Sequence, residues 1–126
     1  MNTSALHNKS LGKQGEDLAT DYLAARGYVI LERNYRAGHQ ELDIIASLGD
    51  CIHFVEVKTR RNRKFGLGED AMHKKKIGRL LQAINIYLGK LDVEPDWQLD
   101  LIVVEMQAMN LPNFIHYESL GQIDAN

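Results

Sequence analysis

The 126-residue sequence predicts an α/β domain in which a mixed β-sheet is flanked by helices, in the order α-β-β-β-α-β-β. Three observations predict it. Apolar residues at helical spacing precede a run of three strand-like segments, a second helical spacing follows that run, and the strand-like segments carry apolar residues on both faces. Strands of that last kind belong inside a sheet covered on both sides.

From Ser10 to Arg26 the residues Leu11, Gly15, Leu18, Ala19, Tyr22 and Leu23 recur at helical spacing, with Ser10 placed to cap the helix and Gly27 to end it. YVILERNY (28–35) is rich in β-branched and aromatic residues. After the break RAGHQ come ELDIIASL (41–48) and CIHFVEVKT (51–59), joined through Gly49-Asp50. A second helix is expected from about Glu69 to Leu88, because Ile77, Leu80, Leu81, Ile84 and Leu88 share one face; the loop from Thr59 to Gly68 leads into it. WQLDLIVVE (97–105) reads as a buried strand and NFIHYESL (113–120) as the last one. No repeat or Pro-rich linker divides the chain, so the expected organisation is a polar tail at 1–9, one domain over 10–119 and a polar tail at 120–126.

Composition excludes several classes. With Cys51 as its single cysteine, the chain can form neither an internal disulfide nor a multi-thiolate zinc site. No apolar run approaches the ~20 residues that span a bilayer, and the start MNTSALHNKS lacks the order of a secretory signal, so a cytoplasmic protein with no membrane partner is expected. The net charge of −2, from 15 Lys+Arg and 17 Asp+Glu, argues by itself against a nucleic-acid partner. Its distribution argues the reverse: residues 58–79 carry nine basic side chains against two acidic ones, within an otherwise acidic chain.

Beside that block lies a group of acids. If Gly49-Asp50 form the loop of a hairpin, opposed residues sum to 99, so Asp43 faces Glu56 and Glu41 faces Lys58. Side chains two apart share a face, which gathers these four on one side of two adjacent strands. Two carboxylates about 5 Å apart repel by roughly 3 kcal/mol at an effective dielectric near 20. A shared proton, the Lys58 amine or a divalent cation can relieve that repulsion, and oxygen-only ligands select a hard ion such as Mg²⁺ or Mn²⁺. Glu16 lies at the margin of the first helix's apolar stripe, and His73 and Lys76 lie near the start of the second helix, so all three can approach the acids.

Asp43, a gap, then Glu56-x-Lys58 at the end of the apolar strand FVEVK resembles the PD-(D/E)XK signature of restriction-endonuclease-like nucleases. GKQGEDLA (12–19), RNYR (33–36), ELDIIA (41–46), FVEVKTR (54–60) and the helix containing Lys76 are together similar to the small bacterial YraN family, which itself resembles archaeal Holliday-junction resolvases. The resemblance implies a restriction-endonuclease-like sheet. It also implies Asp43 and Glu56 as metal-binding acids, Lys58 as catalytic lysine, Glu16 as a supporting acid and Lys76 as an auxiliary basic residue. The PD position reads Leu42-Asp43 here, which keeps the carboxylate.

Together these readings lead to a Mg²⁺- or Mn²⁺-dependent endonuclease acting on DNA, with structured or branched DNA implied by the resemblance. Arg60, Arg61, Arg63, Lys64, Lys74, Lys75, Lys76 and Arg79 are the expected phosphate contacts, holding backbone without reading bases. A junction-cutting enzyme would suit a symmetric homodimer. The alternative reading is a nucleic-acid-binding module of the same fold that cuts nothing and acts with a partner protein; a third is a docking domain for an acidic partner.

Overall fold

The computed structural model describes residues 3–61 and 74–120. The chain runs α1 (Thr3–Ala25), β1 (Val29–Ala37), β2 (Gln40–Leu48), β3 (Cys51–Arg60), α2 (Lys74–Leu88), β4 (Asp96–Glu105) and β5 (Asn113–Tyr117). One five-stranded sheet holds them in the spatial order β1-β2-β3-β4-β5. Neighbouring strands are antiparallel except β3 and β4, which are parallel and joined through α2. The expected element order and mixed sheet are therefore the observed ones.

α1 begins at Thr3, ahead of the cap expected at Ser10. Its far end is the expected one: Gly27 (φ 91) follows the helix, its N–H donates to the Ala24 carbonyl, and the Tyr28 N–H donates to the Leu23 carbonyl. Those two bonds satisfy carbonyls that the last turn leaves open. The break RAGHQ contracts to a turn at Gly38-His39, with Ala37 opposite Gln40. The β2–β3 hairpin turns at Gly49-Asp50, and its paired residues do sum to 99, from Leu48 opposite Cys51 to Ile44 opposite Val55. The expected start of α2 near Glu69 lies outside the described residues, as do His73 and most of the loop from Thr59 to Gly68.

Each sheet face is covered by one helix. Ala19 and Leu23 of α1 pack on Ile44, Ala46, Val55, Ile102 and Val104, whereas Ile77, Leu80, Ala83 and Ile84 of α2 pack on Leu42, Ile45, Phe54, Leu99, Leu101 and Val103. Each large side chain buried in these layers contributes about 2 kcal/mol of hydrophobic free energy. β4 is buried from Leu99 to Glu105, which explains why its sequence reads as an unbroken apolar run interrupted by single acids. Among the described residues no helix is long and apolar enough to cross a membrane.

Candidate functional site

The site forms where β2 and β3 part. The hairpin ladder stops at Ile44 and Val55; one step further, the Val57 N–H donates to Asp43 Oδ2 at 2.9 Å, so an acidic side chain takes the place of a backbone partner. Asp43 and Glu56, the next opposed residues, bring their carboxyls into hydrogen-bonding contact. Lys76 of α2 reaches the same point, with Nζ 3.1 Å from Glu56 Oε1.

α1 supplies the third acid. Gly15 is buried against β3, and a Cβ there would overlap the Thr59 side chain, so the glycine is what lets this turn of the helix approach the strand. That approach carries Glu16 to the acids. Asn34, in the left-handed region at φ 52 within β1, turns its amide between two of them: Nδ2 lies 2.8 Å from Glu16 Oε1 and 3.0 Å from Glu41 Oε1. Asparagine tolerates that conformation better than most residues. Asp17, one residue on, pairs with Arg33 at 2.7 Å and fixes α1 against β1; the Arg33 guanidinium holds the Asp17 carboxyl below its ordinary range.

Burial, and then the Glu56 charge, push the Asp43 carboxyl up to about 7, against the opposing Val57 N–H and Lys76. Glu56 is also raised, by burial, with Lys76 pulling the other way. Burial and the Asp43 charge raise Glu16 in turn. Lys76 and Arg33 thus leave the three acids short of positive charge. A proton or a cation could relieve that shortage. The group's donors are all carboxylate oxygens, which fit a hard divalent ion.

The structure brings Asp43, Glu56, Glu16 and Lys76 together. Lys58 is exposed and forms no ion pair or hydrogen bond with a described residue, and Glu41 engages Asn34 instead of facing it. Among the expected phosphate contacts, Lys74, Lys75 and Arg79 are exposed along α2 and Arg61 is exposed past the end of β3. Arg60 is committed elsewhere: its Nε and Nη2 lie 3.1 and 2.7 Å from Glu105 Oε2, across the parallel β3–β4 pair. Arg63 and Lys64 lie outside the described residues.

A second polar group was not singled out from the sequence. About three residues back along β3 from Glu56, roughly 10 Å by strand rise, His53 lies on the α1 face and bonds buried Asp100 of β4, Nδ1 to Oδ2 at 2.8 Å. His116 Nε2 meets the same oxygen at 2.9 Å, while Oδ1 accepts from Gln98 Nε2 and the Ser119 N–H. Burial alone would raise Asp100, but the bonds from His116, His53, Gln98 and Ser119 outweigh it and hold the carboxyl below its ordinary range. His53, Asp100 and Glu118 place ligand atoms within 4.8 Å of one another and form a group that could hold a metal ion. The available signal was an acid or imidazole inside runs, LDLIVV and IHFV, otherwise read as buried: such groups need partners.

A model of the uncharacterised protein family UPF0102 matches residues 15–104, a stretch that holds Glu16, Asp43, Glu56, Lys58, Lys76 and Asp100 and stops short of His116 and Glu118. A UPF0102 protein of Dictyoglomus turgidum is 45% identical over 83 residues, covering 66% of this chain and 70% of that protein. One from Phocaeicola vulgatus is 42% identical over 100 residues, covering 79% and 82%. A third, from Chlorobium chlorochromatii, is 45% identical over 100 residues, covering 79% and 78%. With a family model over most of its length and relatives this similar, the chain belongs to the uncharacterised protein family UPF0102, the YraN family whose segments it resembles.

Proposed function

We propose that this protein is a Mg²⁺- or Mn²⁺-dependent endonuclease that hydrolyses phosphodiester bonds in DNA. The observation that carries the reading is the Asp43–Glu56 contact: two largely buried carboxyls meet where strands part, and Asp43 is pushed up to about 7. A fold with no use for the pair has every reason to separate it, since breaking the contact relieves several kcal/mol of repulsion and desolvation.

Asp43 and Glu56 would hold the cation, with Glu16 supporting them from α1. When bound, the ion supplies Lewis-acid polarisation of a phosphoryl oxygen and favours ionisation of water. The chain's own groups do the rest. Val57 N–H holds Asp43 Oδ2 and so fixes the carboxyl in place. Lys76 Nζ, on Glu56 in the free protein, can turn to an anionic phosphate. The attacking water gives up its proton to bulk solvent, because a carboxylate that holds the cation is ionised. Attack forms a new P–O bond and breaks the old one, and the leaving oxygen takes up a proton, giving a phosphomonoester and a hydroxyl end. Exposed Lys74, Lys75 and Arg79 hold flanking backbone in a sequence-independent way.

The test is incubation of the purified protein with duplex, branched and single-stranded DNA in Mg²⁺ or Mn²⁺. Cleavage that Asp43→Asn and Glu56→Gln each abolish supports the reading. Retarded but uncut DNA, unaffected by Asp43→Asn, would leave the non-catalytic binding module in its place.

A further inference from the structure

We propose that His53, Asp100 and Glu118 form a second metal site, for one divalent transition-metal ion of the Zn²⁺ class, which fastens the segment after β5 to the sheet. The inference is independent of the nuclease reading: it concerns other residues and another class of ion. One imidazole nitrogen and two carboxylate oxygens, all within 4.8 Å, make a mixed N/O donor set. Such a set favours Zn²⁺, Co²⁺ or Ni²⁺, whereas the oxygen-only acids around Asp43 favour Mg²⁺.

The surroundings supply what a metal site needs beyond ligands. His116 Nε2 and the Ser119 N–H hold the Asp100 carboxylate from either oxygen, and the Tyr28 ring packs edge-on against His53 with centroids 5.0 Å apart. These partners fix ligand orientation, as outer-shell groups do in known metal sites. Gln98 Nε2 now bridges Asp100 Oδ1 at 2.9 Å and Glu118 Oε1 at 3.2 Å, lying between the two carboxylates where a cation would sit. Gln98 also lines a cavity of about 580 Å³ with Cys51, Glu94, Pro95, Asp96 and Trp97. A cation in that cavity would meet the Glu94 and Asp96 side of its wall and reach the ligands past Gln98. Binding displaces the Gln98 amide and releases the proton between His53 and Asp100 to solvent.

The consequence falls on the end of β5. Tyr117 is the last residue of that strand, Ser119 has φ 59, and the Leu120 N–H donates to the Leu99 carbonyl at 2.7 Å. Glu118, in the middle of this turn, is exposed. An ion that ties Glu118 to His53 and Asp100 joins the turn to β3 and β4.

The test uses the full chain carrying Asp43→Asn and Glu56→Gln, which removes the acid pair as a competing site. Zn²⁺ is titrated by calorimetry and Co²⁺ by its visible absorption. The expected result is one bound ion, no competition from excess Mg²⁺, a raised Tm, and binding weakened at least about tenfold by Glu118→Gln. Because Glu118 is exposed, that variant keeps the fold; His53→Gln is the second variant, checked by circular dichroism. Absence of Zn²⁺ binding, or binding that Glu118→Gln leaves unchanged, overturns the proposal and makes Asp100 a hydrogen-bonded hub only.

Discussion

Lys76 Nζ lies 3.1 Å from Glu56 Oε1, so the ammonium that meets the buried acids comes from α2 and not from Lys58 on the same strand as Glu56. The side chain of Glu56 is 12% exposed and that of Lys76 39%, which makes the contact a buried anion held by a cation that can withdraw into solvent. A divalent ion between Asp43 and Glu56 competes with Lys76 for the same oxygens.

Lys76→Met therefore has opposite effects with and without metal. In EDTA the variant is less stable by about 1 kcal/mol, the usual scale for a half-exposed ion pair. In Mg²⁺ its Tm rises further than that of the wild type, because the ion no longer displaces an ammonium. A smaller Mg²⁺ response in the variant would show that Lys76 helps to build the cation site instead of competing for it.

The acid pair also sets a pH dependence. Asp43 titrates at about 7 in the folded chain against an ordinary 3.8, so between those values the folded state holds a proton that the unfolded state has lost. Its contribution to stability is greatest below pH 4 and falls as pH rises through 7, by up to about 1.4 kcal/mol per unit. Metal-free protein should melt at lower temperature at pH 8 than at pH 5.5, and Asp43→Asn should flatten the difference. A Tm that climbs over this range in the wild type but not in Asp43→Asn would contradict the assignment.

Much of this was legible from local pattern. The β2–β3 register follows from a period of two and a Gly49-Asp50 turn, and with it the meeting of Asp43 and Glu56. The Lys76–Glu56 ion pair was not legible, because it depends on where α2 crosses the sheet. Arg60 reads as a surface cation in the sequence, yet its partner Glu105 is 45 residues away and becomes its neighbour only through the parallel register. The Asp100 hub has the same character: His53 and His116 reach it from different strands.

Gly15→Ala tests how α1 is held. The added methyl would overlap Thr59, so the helix must lift and Glu16 with it. The expected cost is about 1–3 kcal/mol, typical of overpacking. Thr59→Gly makes room and should recover much of that loss in the double variant, whereas additive losses in chemical denaturation would place the strain elsewhere.

Arg60→Ala and Lys75→Ala separate a structural cation from one proposed to hold phosphate. Arg60 is bound to Glu105, which is 4% exposed and also accepts from Asn113 Nδ2 at 2.9 Å; removing the guanidinium takes a cation from a buried carboxylate and costs roughly 3 kcal/mol. At a temperature where the variant stays folded, its affinity for duplex DNA should keep the wild-type salt dependence. Lys75 is exposed on α2, so its loss should leave stability within about 0.5 kcal/mol of wild type and lower the slope of log affinity against log salt by about one. If Arg60→Ala instead reduced the salt slope with no loss of stability, the guanidinium would be leaving Glu105 to meet phosphate, and the ion pair would belong to the binding surface.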